Sequence, residues 1–292
     1  MTDTNNSKSD TQNTALTPSD SPVVLKIGGN DIDDPAFLEN LAAYVAALDA
    51  PVIIVHGGGK EIGRLQERIG ITPQWVDGLR VTDEETLAVV EMVLCGRVNK
   101  RLVRQLVRAG IEAEGMSGTD RGLLRARKLH HSGGDLGRVG EITGVRGDVL
   151  TAMLAQGITP VIAPLALGDD GGPFNVNADH AAAAVAQAVG AEQVVFLTNV
   201  RAVLVNGEPQ PSISQHEAEQ LIADGTIFGG MIPKVKTALH AVDLGIPRAV
   251  ITDLPGLRQN AGTVFYDRQK AAFHSAAWAV GTGSTAVPLA AT

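Results

Sequence analysis

PVIIVHGGGKEIG, residues 51–63, decides the fold. A proline-led β-branched run passes through three glycines into residues that recur at helical spacing, which predicts a strand at 51–56 and a helix at about 59–69. Upstream the same order occurs, with VVLKI (23–27) ahead of a helix at about 34–49. A strand, a helix and a second strand in this order form a βαβ unit and imply a parallel sheet. Downstream, Thr82 with Glu85 three positions on reads as a capping box. Leu87, Val90 and Leu94, then Val98, Leu102, Val103, Leu106 and Val107, carry a helical stretch to Gly110, a natural C-cap, with Gly96 as a break between two helices. The stretch 111–147, with SGTDRG and HSGGDLGRVGE, predicts hairpins at the edge of the sheet. Beyond it DVLTAMLAQG (helix), TPVIAP (strand), DHAAAAVAQAVG (helix), QVVFLTNV (strand), helices near 215–224 and 231–243, and RAVIT (strand) restore the alternation. Residues 1–22 are polar and predict a disordered tail, and 267–292 predict a loosely ordered one.

The chain has 292 residues, 44% of them apolar, enough for one large core or two smaller ones. Lys plus Arg number 24 against 32 Asp plus Glu, a net charge of −8, so neither nucleic acid nor an anionic membrane surface is an expected partner. Aromatics make up only 3%, so the core must be built from Val, Leu, Ile and Ala, as where helices pack on a sheet. The apolar runs are far shorter than the roughly 20 residues that cross a bilayer. Cys95, the single cysteine, cannot form an internal disulfide and predicts a buried structural thiol; with no apolar or Arg-rich leader, the expected location is cytoplasmic.

Two glycine clusters, KIGGN (26–30) and HGGGKEIG (56–63), fall at the C-terminal ends of predicted strands, where an open parallel sheet has its ligand crevice. Glycine N–H groups ahead of a helix N-terminus form a cradle for phosphate or carboxylate. The usual nucleotide signatures, GxxxxGK[ST] and GxGxxG opening a helix, do not occur in the sequence. Lys26 is odd inside a short apolar strand, because a buried ammonium is costly unless it faces a cleft or an anion. Lys234 stands in the first turn of a helix that buries Val235, Leu239 and Val242, whereas Lys236 reads as a surface residue. NVNADH (175–180) sets two amides and a carboxylate before an Ala-rich helix. An N-cap, Asp179 or Asn177, accounts for one of the three, and the other two need another reason.

VVLKIGGN, VIIVHGGGKEI, DGLRVTDEETLAVVEMVL, GRVNKRLV, NVNADHAAAAVA, FLTNV and FGGMIPKVKTAL, in this order over about residues 23–253, resemble the amino acid kinase family. Within it they are most similar to the branch that acts on N-acetyl-L-glutamate. The resemblance implies a three-layer α/β/α sandwich with a mainly parallel open sheet and two lobes. Residues 23–170 would bind the acyl amino acid and 171–266 ATP. It implies ATP-dependent phosphorylation of the side-chain carboxylate to an acyl phosphate, a step of arginine biosynthesis, with Mg²⁺ held mainly by phosphates and water and no metal site of protein ligands. The assembly it implies is a homodimer.

Carried over by motif, Lys26 and Lys234 would flank the phosphoryl group in transit and Asp179 would orient both ammoniums. Gly29 and Gly58 would donate backbone N–H groups, and Gly58 and Gly59 would line the acyl site. Arg80 would grip the α-carboxylate, with Asn175 and Asn177 also on the substrate. Thr198, Asn199, Gly230 and Met231 would meet the nucleotide. Asn199 departs from the Asp more usual after this strand, which implies an altered ATP affinity. It also keeps open a kinase for carrier-protein-bound aminoadipate or glutamate, while a catalytically silent amino-acid-sensing subunit would need the transfer residues eroded. Residues 1–21 have no apolar stripe and Pro18 and Pro22 interrupt any helix, so an arginine-insensitive dimer is expected.

Overall fold

The computed structural model describes residues 21–28 and 32–268; both predicted tails fall largely, and Gly29 wholly, outside them. In chain order the elements are β1 (Val23–Ile27), α1 (Pro35–Ala46), β2 (Val52–His56), α2 (Gly59–Arg68), β3 (Trp75–Val76), β4 (Leu79–Arg80), α3 (Glu84–Glu91), a π-helical turn (Met92–Val98), α4 (Asn99–Arg108) and β5 (Ala113–Ser117). There follow β6 (Leu124–Lys128), β7 (Val139–Val145), α5 (Gly147–Leu154), β8 (Thr159–Ala163), β9 (Leu165–Gly168), β10 (Pro173–Val176), α6 (Ala178–Ala188) and β11 (Gln193–Leu197). The chain ends with β12 (Leu204–Val205), β13 (Glu208–Pro209), β14 (Ser212–Ser214), α7 (Gln215–Ala223), α8 (Met231–Asp243), β15 (Arg248–Thr252), α9 (Leu254–Arg258) and β16 (Thr263–Tyr266).

Eight strands form the central sheet in the order β14-β16-β15-β11-β1-β2-β8-β5, parallel except where β15 meets β16. Strand alternation sorts the apolar side chains onto two faces. Val24, Ile53, Val55, Val194 and Phe196 pack with α5, α6 and α8, whereas Leu25, Ile27, Ile54, Val195 and Val250 pack with α1, α3 and α4. The result is the expected three-layer sandwich. Lys26 shares the parity of Val24 and so emerges on the α6 and α8 face, beside Phe196 and Val55 in register. Of the described residues, no helix is long and apolar enough to cross a membrane.

Three sequence expectations need correction. Thr82 is not the cap of α3: Asp83 is, its carboxylate accepting from the Thr86 N–H at 2.8 Å, and Thr82 is buried instead. Gly96 does not break the helix; the chain stays helical through the π turn, and Gly110, at φ 83°, ends α4 as predicted. In the stretch 111–147 only β5 is an edge strand of the main sheet. β6 and β7 do pair as a hairpin, but β9 and β10 close with them into a separate four-stranded barrel. The reason is non-local: β9 and β10 lie beyond α5 and β8, and Leu124 and Ala126 are buried in one cluster with Phe174 and Val176.

Candidate active site

The C-terminal ends of β1, β2 and β11 open onto two cavities. The first, about 340 Å³, is lined by Lys26, Gly28, Asp179, Thr198, Asn199 and Lys234, with Lys60 and Gly59 at its border. The second, about 660 Å³, is lined by Gly58, Gly59, Trp75, Arg80, Asn175 and Asn177 among others, a size suited to a small organic acid. Gly59, at the N-terminus of α2, borders both. An anion in either cavity therefore meets the positive end of that helix.

In the smaller cavity the Lys26 ammonium pairs with Asp179 at 2.8 Å, both side chains largely shielded. Lys234 lines the same cavity, but its Nζ donates to the Gly230 carbonyl one turn earlier at 3.2 Å. Asp179 thus holds one of the two ammoniums it was expected to orient. The reason is reach: Lys234 stands on the fourth residue of α8, and the nearest acceptor along its own helix face is Gly230. Gly230 and Met231 are not among the residues lining this cavity, whereas Thr198 and Asn199 are. Lys60 is a cation that sequence reasoning passed over. Its signal was available, since a lysine in the first turn of a helix opposes the helix dipole and calls for an anion nearby.

The NVNADH stretch divides its labour. Asn177 is the N-cap of α6, its Oδ1 accepting from the N–H of Asp179 at 2.7 Å and of His180 at 3.3 Å. Asp179 turns to Lys26, and Asn175 donates from Nδ2 to the Thr82 hydroxyl at 3.1 Å. Thr82 in turn donates to the Arg80 carbonyl at 2.9 Å. Thr82, read in the sequence as a helix cap, therefore ties together two residues of the larger cavity.

Arg80 is 8% exposed. Its guanidinium donates to Gln66 Oε1 and, at 3.0 Å, to the Gly59 carbonyl, and its Cζ lies 4.4 Å from the centre of the Trp75 ring. These acceptors are neutral, and burial pushes the Arg80 pKa down. A cation desolvated against neutral partners is poised for a carboxylate. Gln66 is wholly buried and also donates to the Thr86 hydroxyl at 3.2 Å. Its signal in the sequence was a polar side chain four residues after Ile62 on the apolar face of α2. A Cβ at Gly58 would stand 2.5 Å from Leu94 Cδ2, so a side chain there would require Leu94 to shift. Cys95 is half-buried, and burial pushes its thiol up to about 11, in keeping with an inert structural role.

An α/β sandwich with a lysine pair, a carboxylate and a helix N-terminus at the ends of parallel strands defines a phosphotransferase site of the class that works by charge neutralisation. A model of the amino acid kinase family matches residues 21–253, and the chain belongs to that family. It is 55% identical over 247 residues to an acetylglutamate kinase of Roseiflexus sp. (strain RS-1), covering 85% of this chain and 94% of that one. With an acetylglutamate kinase of Methanopyrus kandleri it shares 45% identity over 249 residues, covering 82% and 98%. A solved structure from Streptococcus mutans UA159, smu.665, superposes with a TM-score of 0.71 at 30% identity, covering 84% of this chain and 98% of that one. Carbamate kinase from Giardia lamblia, at 15% identity and a TM-score of 0.61, covering 86% and 100%, shares the fold. The names of the relatives do not favour the carrier-bound alternative.

Proposed function

We propose that the protein transfers the γ-phosphoryl group of ATP to the side-chain carboxylate of N-acetyl-L-glutamate, a step of arginine biosynthesis. The observation that carries the reading is the meeting of the two cavities at Gly59, with Lys26 and Lys234 on one side and Arg80 on the other. In this reading residues 23–170 supply the main grip on the acyl amino acid and 171–266 that on the nucleotide, with Asn175 and Lys26 crossing between the two. Arg80, steered by Gln66 and Trp75, takes the α-carboxylate, and Asn175 and Asn177 line the same pocket. The phosphates lie in the smaller cavity among Lys26, Lys234, Thr198 and Asn199.

A carboxylate is ionised near neutral pH, so it attacks phosphorus without a general base. One oxygen of the acceptor forms the new O–P bond, and the bond from γ-phosphorus to its bridging oxygen breaks. ADP leaves with the electron pair, and no proton need move. Lys26 and Lys234 neutralise the charge spread over the transferring group, and the α2 N-terminus donates from the acceptor side. The Asp179 carboxylate is already engaged by Lys26, so Mg²⁺ would be held by phosphate oxygens and water. When bound, the metal neutralises the β- and γ-phosphates.

Hydroxamate trapping of the acyl phosphate tests the reading, with N-acetylglutamate, glutamate and N-acetyl-aminoadipate as acceptors. Turnover is expected with N-acetylglutamate and to drop by about 10²–10³ in Lys234→Ala. Equal turnover of the longer acid, or an active Lys234→Ala, would overturn it.

A further inference from the structure

A buried pair, His56 and Asn99, lies behind the glycine loop and is not part of either cavity lining described above. His56 ends β2 and is fully buried; Asn99 opens α4, 1% exposed, immediately after the π turn. Its Nδ2 donates to the Val161 carbonyl at 2.8 Å and lies 3.4 Å from the Met116 carbonyl, so the amide nitrogen faces the sheet. The opposite orientation would set its oxygen against those carbonyls. The same nitrogen lies 3.2 Å from His56 Nε2, which must therefore accept. A neutral imidazole that accepts at Nε2 carries its proton on Nδ1, and Nδ1 stands 3.0 Å from the Gly57 carbonyl oxygen. Burial holds the His56 pKa down at about 4, so the ring stays neutral at working pH.

The Gly57 N–H is also fixed, donating to the Ile27 carbonyl of β1 at 2.9 Å. The Gly57–Gly58 peptide is trans, so its C=O and N–H point in opposite directions. With the oxygen drawn to His56, the Gly58 N–H is directed away from the imidazole, and Gly58 lines the larger cavity. We propose that His56, its tautomer set by Asn99, is a positioning residue that aims the Gly58 N–H at the phosphoryl group in transit. The π turn serves this arrangement by shifting the helix register so that Leu94 and Val98 wall Gly58 while Asn99 reaches His56.

The inference rests on the proposed kinase reading, and its test separates the two. Nitrogen-15 NMR of histidine-labelled protein reads the tautomer with no substrate present; a His56 protonated at Nδ1 and not at Nε2 is expected, and the reverse would overturn the inference whatever the enzyme phosphorylates. With N-acetylglutamate and ATP, His56→Asn keeps a donor near the position of Nδ1 and is expected to retain turnover within a few-fold. His56→Leu removes that donor and is expected to lower kcat by about 10²-fold with the KM for both substrates little changed. Equal losses in the two variants, or a loss in KM alone, would reduce His56 to a packing residue. Failure of the unsubstituted enzyme to turn over would sink the kinase reading and leave the tautomer result standing.

Discussion

Single side chains in this site are defined by what lies opposite them. Lys26 is tolerable in an apolar strand because it is the penultimate residue and meets Asp179 at 2.8 Å. Arg80 is held by neutral groups, so its charge remains available to a ligand. Thr82 bridges the Arg80 carbonyl and Asn175, and Thr82→Val would keep the shape while removing the acceptor of the half-buried Asn175 amide. Its KM for N-acetylglutamate is expected to rise about tenfold in steady-state assays, with the KM for ATP unchanged. Asn199 lines the smaller cavity, proposed to hold the phosphates, at the position where the family resemblance leads one to expect a carboxylate. Asn199→Asp is expected to change the KM for ATP by a few-fold and to leave that for the acyl acid alone; a shift in the acyl KM would place Asn199 elsewhere. Lys26, Lys234 and Asp179 stood out in the sequence because each broke a local rule. Thr82 did not, since it is compatible with an ordinary helix cap, and Gln66 showed only as a polar residue on the apolar face of α2.

Elements carry these side chains to the site through their ends. β1 and β2 stop at glycines, α2 and α6 begin there, and the sheet order brings all four starts and stops to one edge. The cap of α3 shows how one position separates stability from function. Asp83→Ala removes a side-chain bond to the Thr86 N–H and should lower unfolding free energy by about 1 kcal/mol in a denaturant titration, with kinetic constants unchanged. Thr82→Val should do the reverse, moving the acyl KM more than the stability. Were Thr82 the cap, the two results would exchange. The 51–63 stretch and the helices at 215–223 and 231–243 were legible because caps and apolar spacing sit within each segment. The barrel was not, because β6 and β9 pair across α5 and β8 and nothing within either strand names its partner.

At the scale of the whole molecule, two apolar clusters pack on opposite faces of the one sheet whose strand ends open onto both cavities. Buried His56 couples that core to pH. Its folded pKa of about 4 lies below the ordinary 6.5, so within that window the unfolded chain binds more protons and stability falls as pH drops. Denaturant unfolding at pH 5 against pH 7.5 is expected to show a loss of about 2 kcal/mol from this group, absent in His56→Asn. A wild-type dependence identical to that of the variant would show that His56 titrates normally. Met92 and Val107, on the π turn and on α4, are exposed apolar side chains, and a homodimer is the proposed assembly. Light scattering should give twice the chain mass and added arginine should not inhibit; a ring-sized, arginine-inhibited particle would contradict both.

Local sequence determined the alternation of strands and helices, the two glycine loops at strand ends and the lysines that needed an anion, because period, parity and capping are properties of a few consecutive residues. Tertiary structure alone decided that Asn175 meets Thr82 across 93 positions, that Gly59 stands between two cavities, and that Asn99 sets the proton on His56. Those contacts follow from the order of strands in the sheet, which depends on the burial of all the apolar faces at once and is written in no single segment.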